Sequence, residues 1–169
     1  RIKTAQRIAT EASPVAMALF RKPLCITAKP DDSPVTIADQ DTEKAIRAAL
    51  ELSFPGETIF GEEFGQSGSH DDMWIVDPID GTRSFITGLP LFGMLLGFVS
   101  DGTPQLGVIN MPALNELYAG ARGMGATLNG APIAVSSCRE LSKARLFLNE
   151  AGKMAINVPA QFARFILAG

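Results

Sequence analysis

Ile2, Ala5, Ile8, Ala9 and Ala12 recur every three or four residues, the spacing of the inner stripe of an amphipathic helix. Pro14 breaks that stripe. Proline has no N–H for the helical ladder and crowds the preceding turn, so a kink is expected there, or a restart over Ala16–Phe20 with Ser13 as N-cap. Arg21 and Lys22 suit a helix C-terminus, and Pro23 forbids continuation. Leu24 to Ala28 predicts a strand, and Lys29 to Pro34 a polar loop. A long helix is predicted after Thr36-Ile37-Ala38-Asp39, with Ala45, Ile46, Ala49, Leu50 and Leu52 on its buried face and Phe54-Pro55-Gly56 as its stop. Beyond it the pattern changes to short apolar runs separated by turns. Ile59-Phe60, Trp74-Ile75-Val76, Phe92–Val99, Gln105–Asn110, Leu117–Ala121, Ala126–Leu128 and Ile133–Val135 read as strands. Asp101-Gly102 and Asn129-Gly130 are the dipeptides of tight hairpins. Pro159–Leu167 reads as a last short helix.

Helices flanking a run of strands, without strict alternation, predict an α+β fold: a largely antiparallel sheet with helices packed on it. At 169 residues and 46% apolar, the chain has the size of one domain and enough apolar surface for a core. A net charge of −3 implies no broad basic face, so nucleic acid is not an expected partner. The longest apolar run, Leu91–Val99, contains Gly93 and Gly97 and is too short to span a bilayer, so no membrane partner is expected. No segment resembles a secretory signal. Cys25 and Cys138 match no metal or redox spacing and are expected to be reduced, partly buried thiols, in keeping with a cytoplasmic protein. His70, the only histidine, lies in a Gly/Ser/Asp loop with no nucleophile elbow nearby and reads as a surface residue. Gly120–Gly130 lacks the Gly-Lys-Ser/Thr of a nucleotide-triphosphate loop and is better explained by hairpins.

The chemistry concentrates in Trp74–Phe85. Asp77 is expected to close the strand, Pro78 to force a turn, and Asp80-Gly81-Thr82 to form a corner that opens a helical turn with Asp80 near its N-cap. Two carboxylates then stand beside the N–H groups of Gly81 and Thr82. Carboxylates hold hard divalent cations, and N–H groups at a helix start hold phosphate oxygens. Asp-Pro and Asp-Gly pairs also occur in ordinary turns, so the hexapeptide Asp77–Thr82 alone fits a turn as well as a site. A second acidic cluster, Glu62-Glu63, follows the Ile59-Phe60 strand; adjacent like charges there need a cation or water to compensate them. The pair of clusters is what signals a site.

Gly61-Glu62-Glu63, Trp74-Ile75-Val76-Asp77-Pro78-Ile79-Asp80-Gly81-Thr82 and Thr36-Ile37-Ala38-Asp39 together resemble the inositol monophosphatase superfamily, magnesium-dependent and lithium-sensitive phosphomonoesterases. Gly61–Gly65 and Arg83–Gly88, followed by Pro90-Leu91-Phe92-Gly93, are most similar to its bacterial histidinol-phosphate phosphatase branch. The resemblance implies the layered sugar-phosphatase fold and two or three Mg²⁺ ions. Glu62, Asp77 and the carbonyl of Ile79 would hold the first ion, and Asp77 with Asp80 the second. Glu63 would act from behind these ligands. Thr82, polarised by Asp39, would position the attacking water; from the residues alone, Asp39 is a helix cap. Gly81 and Thr82, together with Glu62, Asp80, Arg83 and Ser84, would contact a small phosphorylated metabolite, and a homodimer is implied. Family members carry a further metal-binding Asp in a C-terminal segment for which no motif lies between Leu141 and Gly169. The expectation is that residues 1–169 are the N-terminal metal-binding domain, with a weak second metal site and little activity of their own. Three alternatives stay open: a haloacid-dehalogenase-type phosphatase, whose two Asp are separated by one residue where Asp77 and Asp80 are separated by two; a noncatalytic metal-binding module; and a relative acting on inositol phosphate, fructose bisphosphate or adenosine bisphosphate.

Overall fold

A computed structural model describes residues 1–28, 34–68, 71–145, 147 and 151–167. Of the loop predicted over 29–34, residues 29–33 lie outside the described residues, as does His70, and Pro34 instead begins a strand. The chain forms two compact units, Arg1–Ala134 and Val135–Gly169.

The first unit opens with α1 (Ile2–Leu19), a two-stranded antiparallel pair β1 (Ile26–Ala28) and β2 (Pro34–Thr36), and α2 (Ile37–Ser53). Then come β3 (Thr58–Gly61), β4 (Gly65–Ser67), β5 (Met73–Asp80), the short α3 (Thr82–Ile86) and β6 (Gly93–Ser100). β7 (Thr103–Met111), β8 (Glu116–Ala121), β9 (Gly125–Leu128) and β10 (Ala131–Ile133) complete it. Strands β3 to β10 make one eight-stranded sheet in the order β10-β9-β8-β7-β6-β5-β3-β4. Every neighbouring pair is antiparallel except β3 and β5, which run parallel. This is the α+β class expected. The turn at Asp101-Gly102 (φ 49° and 67°) and that at Asn129-Gly130 (φ 50° and 82°) have positive φ at both positions, the twist that a two-residue hairpin needs.

Alternation along the strands sends Trp74 and Val76 of β5, Met94, Leu96 and Phe98 of β6, Val108 of β7 and Ala119 of β8 to one face. Ala5, Ile8, Ala9 and Ala12 of α1 and Ile46 and Leu50 of α2 cover them. Small alanines let α1 lie close to the sheet, and each fully buried Ile or Leu stabilises the fold by about 1.5–3 kcal/mol. Trp74, fully buried, stacks against Phe54 at 5.1 Å and meets the tilted ring of Phe98 at 5.0 Å, and its indole N–H donates to Glu57 at 2.8 Å. A second cluster, Ala16, Ala38, Ile79, Phe85 and Phe92, ties the end of α1 to the start of α2 and to the turn after β5.

Several expectations need correction. Pro14 does not end the first helix; α1 runs through it. The Ser13 hydroxyl turns back to the Ala9 carbonyl (2.8 Å) instead of capping a new helix, and Asn110 of β7 donates to both that carbonyl (3.0 Å) and Ser13 Oγ, fastening the proline turn to the sheet. Leu52 is 87% exposed, because it falls off the 46/50 stripe. β5 does not stop at Asp77. It continues to Asp80 through a bulge, Asp77 facing Leu95 and Asp80 facing Gly93, and the bulge takes up Pro78, which has no N–H to offer the ladder. Both cysteines are exposed rather than partly buried.

Among its described residues, the second unit contains a turn of 3₁₀ helix at Leu141–Lys143 and the short helices α4 (Ala151–Asn157) and α5 (Pro159–Leu167). α5 was expected and α4 was not. Among the described residues, no helix is long and apolar enough to cross a membrane.

Candidate metal and phosphate site

Parallel pairing brings the two acidic clusters together. In the β3–β5 ladder Gly61 stands opposite Val76, and the next N–H, that of Glu62, donates to the Val76 carbonyl at 3.1 Å. Glu62 therefore leaves β3 level with Asp77, close enough for their carboxyl groups to hydrogen-bond. The bulge adds Asp80 to the same neighbourhood. Asp77 is pushed up from 3.8 to about 8. Burial is the main cause, followed by the charge of Glu62 and its hydrogen bond, then the charge of Asp80; the Ile79 N–H, which donates to Asp77 Oδ1 at 3.2 Å, pulls the other way.

Such crowding of like charge is unfavourable without a cation. The donors at hand are all oxygens, three carboxylates and the Ile79 carbonyl, the set suited to Mg²⁺. That carbonyl accepts one hydrogen bond, from Thr82 Oγ1 at 3.0 Å, and has a second lone pair. Among the described residues, no three acidic, histidine or cysteine side chains already encircle one point as a finished cage. Glu62 and Asp80 are exposed and Asp77 half-buried.

Asp39 is both a cap and a partner of Thr82. Thr36 is the N-cap of α2, and Asp39, the third residue of the helix, accepts from Thr36 N–H (2.8 Å) and Thr36 Oγ1 (2.7 Å) through Oδ2. Its other oxygen, Oδ1, lies 3.2 Å from Thr82 Oγ1. The carboxylate is 1% exposed, and the capping box fixes its aim. Thr82 Oγ1 has one proton for two acceptors, Asp39 and Ile79, so one lone pair or another is always left for a further donor.

Gly81, not Asp80, is the N-cap of α3. It has φ 87°, and a Cβ there would lie 2.9 Å from the Leu91 carbonyl oxygen, so only glycine fits. The first N–H groups of α3 have no partner within the helix. Arg83 is exposed and Ser84 half-buried on the same turn.

Sequence reasoning missed Glu43. It is fully buried in α2, paired with Arg47, and its carboxylate receives the N–H of Glu63 at 2.7 Å. The signal was available: Glu43 occupies the 39/43/46/50 stripe, where an unexplained carboxylate should prompt a search for its partners.

The sequence profile of the inositol monophosphatase family matches residues 1–166. A histidinol-phosphatase from Chlorobaculum parvum is 44% identical over 151 residues, 88% of this chain and 58% of that protein. A fructose-1,6-bisphosphatase/inositol-1-monophosphatase from Thermotoga maritima is 41% identical over 109 residues, 64% of this chain and 42% of that protein. Among solved structures, a Thermotoga maritima IMPase superposes with a TM-score of 0.82 at 29% identity, covering all of this chain and 73% of the other. The chain thus spans about half the length of the curated relatives it matches.

Proposed function

The chain belongs to the inositol monophosphatase family, and from that premise we propose that it carries the metal-binding part of a magnesium-dependent phosphomonoesterase acting on histidinol phosphate. The observation behind this is the convergence of Glu62, Asp77 and Asp80 beside a hydroxyl, Thr82, that faces the buried carboxylate of Asp39. Glu62, Asp77 and the Ile79 carbonyl would hold one Mg²⁺, and Asp77 and Asp80 a second. When bound, the ions would neutralise phosphate oxygens and make a bound water more acidic than bulk water.

The remaining work falls to the chain. With its proton directed to Asp39, Thr82 Oγ1 accepts from the attacking water and turns that oxygen toward phosphorus. Asp39 can hold this alignment because its second oxygen is fully engaged by Thr36. Glu63 acts from behind the ligands, its backbone fastened to Glu43. N–H groups of Gly81 and Thr82 face the phosphate oxygens, and Arg83 and Ser84 the organic half of the ester. Inhibition by Li⁺ is expected from the family resemblance.

Histidinol phosphate is favoured by the Gly61–Gly65 and Arg83–Gly88 motifs and by the name of the 44% identical relative. The Thermotoga relative supports a second reading, inositol or fructose phosphates. Phosphate release by a full-length form carrying these residues, from histidinol phosphate, inositol 1-phosphate and fructose 1,6-bisphosphate, with and without Mg²⁺, decides between them. Mg²⁺-dependent turnover highest on histidinol phosphate is expected. Preference for another ester moves the assignment within the family, and no turnover on any of them favours a noncatalytic metal-binding module.

A further inference from the structure

We infer that Glu43, clamped by Arg47, is a positioning residue for metal ligation: it holds the backbone of the Gly61–Gly65 turn so that Glu62 projects toward Asp77. The inference rests on the metal-binding reading of Glu62 proposed above.

Glu43 is fully buried, and both its oxygens are occupied. Oε2 accepts the Glu63 N–H at 2.7 Å, while Oε1 accepts the Phe64 N–H at 3.3 Å and Arg47 Nε at 2.7 Å. Arg47 reaches on to the same turn, donating to the Gly65 carbonyl and to Ser67 Oγ at 3.0 Å. One helix-borne ion pair thus grips the turn after β3 and the strand that returns from it. On the other side, the Glu62 N–H is bonded to the Val76 carbonyl. The peptide units on both sides of the Glu62 side chain are therefore fixed, one by β5 and one by α2.

Two features point to this role and not to generic packing. A buried ion pair pays a desolvation cost that apolar side chains of similar size avoid, so it is weak evidence of a stability device. Here its hydrogen bonds go to the acidic turn and to the strand that returns from it. Gly61 is shaped for it as well. Its backbone is not in the left-handed region, yet a Cβ would overlap the Glu43 carboxylate and lie 2.8 Å from an Arg47 nitrogen. The glycine of the Gly-Glu-Glu motif is the space into which Glu43 fits. With both oxygens satisfied inside the protein, Glu43 is not itself a ligand and acts only through the turn.

The test is Mg²⁺ binding, measured by titration calorimetry without substrate, together with amide exchange at Glu63 and Phe64 and kcat at saturating Mg²⁺. Glu43→Gln keeps the shape but sets an NH₂ group against backbone donors. It should weaken Mg²⁺ by about 10- to 100-fold, the range seen when groups supporting metal ligands are removed. Exchange at the two amides should accelerate, and kcat at saturating metal should stay within a few-fold. Arg47→Lys keeps the charge pair and loses the fork to Gly65 and Ser67; it should fold even where Glu43→Gln does not, and weaken Mg²⁺ several-fold. Ile46→Val, which loosens the same helix elsewhere, should lower the melting temperature and leave Mg²⁺ affinity unchanged. Mg²⁺ affinity within twofold of the unsubstituted protein in the folded variants, or an equal loss in Ile46→Val, overturns the inference while the proposed function stands. Failure of the unsubstituted protein to bind Mg²⁺ overturns the proposed function and this inference with it.

Discussion

At Asp77 three effects add: the carboxyl is partly withdrawn from water, Glu62 stands beside it, and Asp80 completes the crowding. Held protonated up to about pH 8, the group must lose its proton when a cation arrives. Mg²⁺ binding is therefore expected to release close to one proton near neutral pH and to weaken as pH falls below about 8. Calorimetry in buffers of differing ionisation enthalpy measures both. The stability sign follows from the same shift. A folded-state pKa raised from 3.8 to about 8 favours folding fully at low pH, and the benefit is lost as pH rises through that interval. Asp77→Asn should then raise the melting temperature of the metal-free protein at pH 8.5, relative to its effect at pH 4, and abolish both the Mg²⁺-induced rise and phosphate release. Thr82 differs in kind, since it binds no cation in the proposed scheme. Thr82→Ala should lower kcat by about 10²-fold or more with Mg²⁺ affinity nearly unchanged, and the opposite split would remove its water-orienting role. Asp39 shows what a residue's type conceals. Capping and the approach to Thr82 are alternatives when only local spacing is read, but a carboxylate has two oxygens and here each takes one task.

At the element scale, the site hangs on three short devices: the capping box of α2, the bulge of β5 and the glycine that begins α3. Thr36-Ile37-Ala38-Asp39 and its helix were legible, because a cap signature is confined to one turn. The bulge was not; Asp-Pro reads as a strand end unless a partner strand can absorb the extra residue, as β6 does here. Pro14 misleads likewise: the helix runs through it, and Asn110, from a strand 97 residues from Ser13, fastens that turn to the sheet. Gly81 is the device most sensitive to change. Gly81→Ala puts a Cβ at φ 87° against the Leu91 carbonyl, and the left-handed backbone alone costs about 1–2 kcal/mol. A lower urea midpoint with unchanged slope is expected, along with weaker phosphate binding.

For the molecule as a whole, the parallel pairing of β3 with β5 inside an otherwise antiparallel sheet sets the function-bearing geometry. It aligns Glu62 with Asp77, while α2 brings Asp39 to Thr82 across 43 residues of sequence and Glu43 to Glu63 across 20. The chain by itself determined the class and order of most elements, the hairpin turns, the start of α2 and the identity of the acidic motifs. These follow from periodicity, φ preferences and hydrogen bonds within a few residues, all carried by neighbours along the chain. The tertiary structure alone decided the strand register, the passage of α1 through Pro14 and of β5 through Pro78, the exposure of Leu52 and the burial of Glu43. It also decided the proton affinity of Asp77. Each of these depends on which distant groups exclude water from a residue or complete its hydrogen bonds, and desolvation and register exist only once the sheet and helices have closed on one another.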